Sequence, residues 1–254
     1  MVAFYFPGDI PVYAFSVVLG VGATLGLAWV SYAAGKSLGP EQFNAGLWAL
    51  LGGLVGSRAA YVAAGWSYFQ SRQLEGLQVF QGGLAWPGAL AGSILALVLY
   101  THLARQPLRK LADVLLPLAA CLAVSAWLAS WLEGSAYGSI AASGWGLPAR
   151  DEWGKFALRF PTQLLGAAFS AGLFWLLDSR KAFPLPGLKA SLGLLGLSLL
   201  LFGLSFLRAD PAPLWLGWRL ESWAALGFAG LALAFIWITR TLKSGARSLS
   251  KHSN

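Results

Sequence analysis

Few side chains in this sequence can do chemistry, and the sharpest is Arg58, in Gly52-Gly53-Leu54-Val55-Gly56-Ser57-Arg58-Ala59-Ala60-Tyr61. It falls inside an apolar run or near its end. Placing a guanidinium in a bilayer costs on the order of 2.5–3.5 kcal/mol, so Arg58 should turn inward to a partner. Tyr61, about one helical turn on, shares its face. Arg58 reads either as a group snorkelling to lipid phosphates or as a headgroup ligand or structural ion-pair member. Glu133, in Trp131-Leu132-Glu133-Gly134-Ser135-Ala136-Tyr137-Gly138, ends a later apolar run and is the candidate counter-ion. A solvated helix-end carboxylate is the plainer account of it. Arg159 precedes Phe160-Pro161-Thr162-Gln163, where Pro161 suits a first helical turn and Gln163 can donate to a lipid or main-chain carbonyl. Arg208 closes another run before Asp210-Pro211-Ala212-Pro213, a turn by composition. Together, four such groups would suit an anionic headgroup through bidentate Arg–phosphate geometry.

The sequence offers little else. Of its two histidines, His102 falls at the far end of an apolar run and His252 in a basic tail. No Ser-His-Asp order, metal-ligand spacing, phosphate-binding glycine loop or dinucleotide fingerprint occurs, so no cofactor and no metal is expected. The lone Cys121 lies mid-run and reads as packing rather than as a reactive thiol.

The elements that must position these groups are written in the spacing of the charges. Asp9 to Lys36, Asp113 to Glu133, Arg159 to Asp178, Lys189 to Arg208 and Glu221 to Arg240 each enclose roughly 18 to 26 uncharged residues, the length of a bilayer-crossing helix. With 57% hydrophobic and 11% charged residues in 254 positions, the chain has too little polar surface for a water-soluble fold. The expected fold class is an all-α integral membrane protein with seven transmembrane helices, at about 11–33, 43–65, 82–104, 111–132, 161–178, 188–207 and 220–240. A single polytopic domain over 1–254 is expected, ending in a basic cytoplasmic tail at 241–254. Acidic Asp9 and the absence of a basic leader make the first run a retained helix.

The net charge of +8 follows topology rather than nucleic acid, because the basic residues stand between apolar runs and not on one face. On the C-terminal side of the spans lie eleven: Lys36, Arg105, Arg109, Lys110, Arg180, Lys181, Lys189, Arg240, Lys243, Arg247 and Lys251. The other side has seven: Arg58, Arg72, Arg150, Lys155, Arg159, Arg208 and Arg219. The bias predicts the N-terminus outside and the C-terminus in the cytoplasm. Connections at 66–81, 133–160 and 208–219 are long and rich in Trp, Gly and Pro. They would hold Trp145, Trp153, Trp215 and Trp218 at the outer interface, as an aromatic belt or as part of a functional face.

In order and spacing these pieces resemble the bacterial prolipoprotein diacylglyceryl transferase family over nearly the whole chain. The lead Ile10-Pro11-Val12-Tyr13-Ala14-Phe15-Ser16 is similar to that family's entry into its first span. Its Gly-Gly-Arg-x-x-Tyr pattern is matched by Gly56-Ser57-Arg58-Ala59-Ala60-Tyr61, and its Gly-Gly-Leu-Ser-Phe-His-Gly-Gly by Gly82-Gly83-Leu84-Ala85-Trp86-Pro87-Gly88-Ala89. Asp113 to Pro117 and Gly134 to Gly138 fit two further elements. Its Arg-His-Pro-Ser/Thr-Gln corresponds to Arg159-Phe160-Pro161-Thr162-Gln163, and its Phe-Arg-x-Pro-Asp to Leu207-Arg208-Ala209-Asp210-Pro211.

The resemblance implies a bacterial inner-membrane protein whose outward-facing site transfers a diacylglyceryl group from phosphatidylglycerol to a lipobox cysteine. Its partners would be phosphatidylglycerol and the prolipoprotein signal peptide. Such chemistry needs help in forming the thiolate and cations to hold the departing glycerol phosphate. Here the family's motif histidine falls on Pro87, and its signature arginine near Trp127. Its first-span tyrosine falls on Phe15, its second histidine on Phe160, and a sixth-span arginine near Leu201. The positions that survive as lipid headgroup-binding candidates are Arg58, Tyr61, Gly82, Gly83, Arg159, Gln163 and Arg208, with Glu133 added from its own position. The resemblance therefore leaves two readings: a divergent transferase, or a non-catalytic phospholipid- or lipoprotein-binding scaffold of the same fold.

Overall fold

The computed structural model describes residues 2–6, 10–79, 82–141, 144–179 and 183–252, with side chains from Val12 to Thr241. Asp9, Gln81, Arg180 and Lys181, and the side chains of Lys243, Arg247, Lys251 and His252, lie outside the described residues.

A short antiparallel pair, β1 (Val2–Phe6) and β2 (Ile10–Tyr13), leads into the longest helix, α1 (Ala14–Ala64). Its 51 residues would measure about 76 Å as a straight rod, more than twice a bilayer's hydrocarbon core. It is not straight. Gly35 adopts φ 72 and ψ 179, a conformation closed to L side chains, and divides α1 into two arms. Gly46 of the second arm lies against Leu27 of the first, so the arms run antiparallel. The connection expected near 34–42 is thus compressed to one glycine, with Pro40 tolerated in the first turns beyond it.

The second arm packs on α4 (Trp86–Leu103), and the first on α6 (Leu116–Glu133). At the α1–α4 crossing, Gly52 meets Gly92 and Gly56 meets Gly88 so closely that a methyl on any of the four would strike a backbone carbonyl opposite. Small residues at four-residue spacing allow this approach, which in lipid substitutes dispersion for a missing hydrophobic drive. The expected span at 111–132 is interrupted: α5 (Leu108–Val114) ends at Leu115 before α6 begins with Pro117 in its first turn.

Helices α7 (Thr162–Asp178), α8 (Leu188–Ser205) and α9 (Leu220–His252) complete the bundle, with α7 on α6 and α8 between α7 and α9. Asp113 fixes the start of α8 by accepting the Gly187 and Ala190 N–H groups at 2.6 and 2.7 Å. Leu27, Val30, Ala45, Leu111, Leu115 and Leu118 form one apolar core; Leu116, Phe174 and Leu177 form another.

Among the described residues five helices are long and apolar enough to cross a membrane: α1, α4, α6, α8 and residues 220–241 of α9. At 17 residues, α7 is one short of that length. The chain is mainly helical, but hairpins β3–β4 (Leu147–Arg150, Phe156–Arg159) and β5–β6 (Leu214–Trp215, Trp218–Arg219) stand within the long connections expected at 133–160 and 208–219, a departure from the all-α expectation. Beyond Thr241 the backbone continues the helix to His252, within the expected tail.

Candidate functional site

Antiparallel packing gathers the sequence-predicted residues at one end of the bundle, where the second arm of α1, α6 and α8 end and α4, α7 and α9 begin. They do not form one cluster. They occupy two separate networks, and each cation finds its partners within its own, although Arg159 Nε and Arg219 Nη1 are buried without a hydrogen bond among the described residues.

In the first, Arg58 is buried in the last turns of α1 and aims its guanidinium at main-chain oxygens. Its Nε donates to Gly76 O at 2.8 Å and its Nη2 to Glu75 O at 2.6 Å. Its Nη1 donates to Gly82 O at 2.5 Å and Gly83 O at 3.2 Å. The carbonyls belong to the segment after α1, which holds the short helices α2 (Trp66–Phe69) and α3 (Gln73–Gly76), and to the Gly82-Gly83 turn leading into α4. Tyr61 and Phe69 flank the cation at 5.5 and 5.7 Å from their ring centroids. Gly83, at φ +75, leaves no room for a Cβ against the Tyr61 ring. Arg58, Tyr61, Gly82 and Gly83 therefore do come together, around a cation bound by carbonyls. The expected pairing with Glu133 is not formed: Arg58 enters none of the ion pairs among the described residues, and Glu133 stands exposed at the end of α6. Local carbonyls at the right reach satisfy the guanidinium fork without a carboxylate.

The second network is built on residues 134–141. Gly134 closes α6 in the left-handed conformation (φ 79), pressed against the Asp151 backbone. The chain then runs between two neighbours. Ser139 N–H donates to Leu207 O at 3.2 Å and Ala209 N–H to Tyr137 O at 2.8 Å on one side; Phe160 N–H donates to Ser139 O at 2.9 Å on the other. From the start of α7, Thr162 Oγ1 donates to Ala136 O at 2.7 Å and Gln163 Nε2 to Ser135 O at 2.9 Å. Gln163 is almost wholly buried and holds the chain rather than facing a ligand.

This segment sets Arg159 and Arg208 on its two sides, bridged to Ile140 and Gly138. Arg159 pairs with Asp151 at 3.1 Å, both buried, and lies over the Tyr137 ring at 4.3 Å. Asp151 also accepts the Trp153 and Lys155 N–H groups at 3.1 and 2.8 Å, closing the turn between β3 and β4. Arg208 binds Asp210 twice, Nε to Oδ1 at 2.9 Å and Nη2 to Oδ2 at 2.6 Å, and Glu221 through Nη1 at 2.6 Å. Arg219 donates to the Arg208 and Asp210 carbonyls and lies 3.4 Å from Asp210 Oδ1. Two arginines and two carboxylates thus form a neutral, closed set.

Tyr137 is the other buried group of note. Burial first, and then the neighbouring Glu152 carboxylate, push its phenol up to about 12, against the opposing pull of Arg159. Asp151, Tyr137, Glu152 and Arg219 were not singled out by sequence. The available signal was the Asp-Glu-Trp-Gly turn at 151–154, which folds Asp151 back onto Arg159.

The positions where the resemblance placed two lost arginines converge. Trp127 is buried against Gly166, with Ala136, Ala167 and Leu204 in one apolar cluster, and Leu201 packs against that cluster with Val124 and Leu200. Pro87 sits in the first turn of α4, beside a Trp86 ring 6.1 Å from that of Phe228.

Comparison with known proteins completes the picture. The family model described as prolipoprotein diacylglyceryl transferase matches residues 1–238. A phosphatidylglycerol–prolipoprotein diacylglyceryl transferase of Thermosynechococcus vestitus is 27% identical over 219 residues, covering 82% of this chain and 81% of that protein. The protein named phosphatidylglycerol–prolipoprotein diacylglyceryl transferase 2 in Streptomyces coelicolor is 31% identical over 235 residues, 86% and 73% of the two chains. A Bacillus cytotoxicus transferase is 34% identical over 113 residues, 43% of this chain and 42% of its own. With its apolar helices and these relatives, the chain is a multi-pass membrane protein of lipoprotein maturation and belongs to the prolipoprotein diacylglyceryl transferase family.

Proposed function

We propose that the protein binds phospholipid and a prolipoprotein signal peptide at the outer face of a bacterial inner membrane without itself transferring the diacylglyceryl group. One observation carries this reading: Trp127 and Leu201, where the resemblance expects cations, share one apolar cluster. A phosphate clamp lost at a single point leaves a gap; here both positions are filled by mutually packed side chains. Pro87, where a histidine is expected, has no proton to move. Seven crossings are proposed from the two arms of α1 with α4, α6, α7, α8 and α9, the N-terminus outside and the whole chain one domain.

Headgroup binding is assigned to the Arg58 end. Arg159 and Arg208 are neutralised by carboxylates, whereas Arg58 keeps a charge that no ion pair among the described residues cancels. Phosphatidylglycerol, named for the relatives, supplies the matching anion.

The test is a transfer assay with the purified protein, phosphatidylglycerol and a lipobox peptide, beside native mass spectrometry of bound lipid. The expected result is retained phospholipid, reduced in Arg58→Ala, and no diacylglyceryl-modified peptide. A diacylglyceryl thioether on the peptide cysteine would overturn the non-catalytic reading. A divergent transferase is favoured by one feature at this same end, the Glu152 carboxylate close enough to the Tyr137 phenol to oppose its ionisation. Diacylglyceryl transfer lost in Glu152→Gln would establish that reading instead.

A further inference from the structure

The β5–β6 hairpin is apolar where a hairpin in water is polar. Its sequence, Leu214-Trp215-Leu216-Gly217-Trp218-Arg219, carries no charge before its last residue. Leu214 is 67%, Trp215 56% and Leu216 74% exposed. The two turn residues, Leu216 and Gly217, both have positive φ, 51 and 79. Such a turn ordinarily takes Asn-Gly or Asp-Gly, because a branched apolar side chain is disfavoured in the left-handed region and gains nothing from water. A leucine held there, pointing away from the protein, calls for an apolar phase outside it.

That phase is within reach. The hairpin lies between the end of α8 at Ser205 and the start of α9 at Leu220, two helices apolar enough to cross a membrane. Leu216 stands three residues from Arg219, so the tip lies at most about 10 Å from it along the chain. A headgroup layer is itself about 5–8 Å deep on each side. The hairpin is also tied down along the bundle. Trp223, inside the first turn of α9, donates its indole N–H to Trp215 O at 3.0 Å. Trp218 stacks on Trp223 at 5.2 Å and meets Phe202 of α8 and Phe206, just past its end, edge-on at 5.7 Å. Beneath the hairpin, the closed Arg208–Asp210–Arg219–Glu221 set leaves no bare charge to be dragged into lipid.

We propose that the β5–β6 hairpin is a lipid-inserted anchor, its Leu214, Trp215 and Leu216 buried at the headgroup–acyl boundary of the outer leaflet. It goes beyond a belt of interfacial tryptophans, because an aliphatic turn is committed to the acyl side. The inference rests on the membrane reading of α8 and α9.

Spin labels test it. In a Cys121→Ala background, Leu216→Cys is labelled in vesicles of phosphatidylethanolamine and phosphatidylglycerol, and its collisions with oxygen and with a water-soluble nickel complex are compared. Leu199→Cys, exposed on α8, is the lipid reference; Lys155→Cys, in the β3–β4 turn, is the aqueous one. The expected result is a Leu216 label shifted to the Leu199 side, with oxygen collisions dominant. A Leu216 label matching Lys155 overturns the anchor. So does one shielded only after a signal peptide is added, or one broadened by a label on a second copy. Leu214→Cys repeats the measurement should the turn variant fail to fold. If Leu199 itself reads as aqueous, the membrane reading has failed, a result distinct from failure of the anchor alone.

Discussion

Trp127 of α6 lies flat on Gly166 of α7, its indole filling the space where a methyl group on the glycine would stand. This contact joins the two helices at the level where the resemblance calls for a cation. The prediction is that Gly166→Ala overpacks the contact and costs about 1–3 kcal/mol. Trp127→Ala should open a cavity costing about 3–5 kcal/mol. Unfolding in mixed micelles measures both. An unchanged midpoint for either variant would contradict the packing described.

Arg58 holds four carbonyls, and lysine cannot. Arg58→Lys keeps the charge but gives up the fork, and should loosen residues 65–83. Leaving buried acceptors unpaired costs about 1–3 kcal/mol. Limited proteolysis of that segment should accelerate in Arg58→Lys and Arg58→Ala alike. Protection equal to wild type in the lysine variant would mean that charge, not geometry, organises the segment.

The apolar helices were legible because charge is excluded from lipid: four of the five charge-to-charge gaps fall on helices long and apolar enough to cross a membrane, and the Arg159–Asp178 gap falls on the shorter α7. The two arms of α1 are separable in the sequence because Lys36, Ser37, Glu41 and Gln42 make 34–42 polar, but the reversal itself takes only Gly35, so the expected connection is too long. The site was legible only in part. Arg58 and Tyr61 share a helix face, and that spacing is local. The partners of Arg58, at 75, 76, 82 and 83, are main-chain atoms and have no residue type to recognise. Glu133 offered the right charge, but its position did not bring it to Arg58. Asp151 reaches Arg159 only through the β3–β4 register, which apolar periodicity over four residues does not reveal.

The Arg159–Asp151 pair is buried on both sides, so its members differ from surface charges in what they cost when separated. Asp151→Asn should destabilise by about 3–5 kcal/mol, since it strands a buried guanidinium. Adding Arg159→Leu to that variant should recover part of the loss. A double-mutant cycle in micelles checks this, and additivity of the two changes would show that the pair is not coupled.

Tyr137 gives the pH dependence a sign. An unfolded tyrosine ionises near 10, while burial and the Glu152 carboxylate push Tyr137 up to about 12 in the folded chain. The native state therefore keeps its proton where the unfolded chain has released it. The stabilisation from this group is complete below about pH 10 and is lost as pH climbs towards about 12. Phenolate absorbance of wild type minus Tyr137→Phe should show one tyrosine titrating near the top of that window. Glu152→Gln removes the carboxylate that opposes ionisation, so the same difference should move to lower pH. A difference signal centred near pH 10 in the wild type would mean that Tyr137 is neither buried nor opposed by the Glu152 charge.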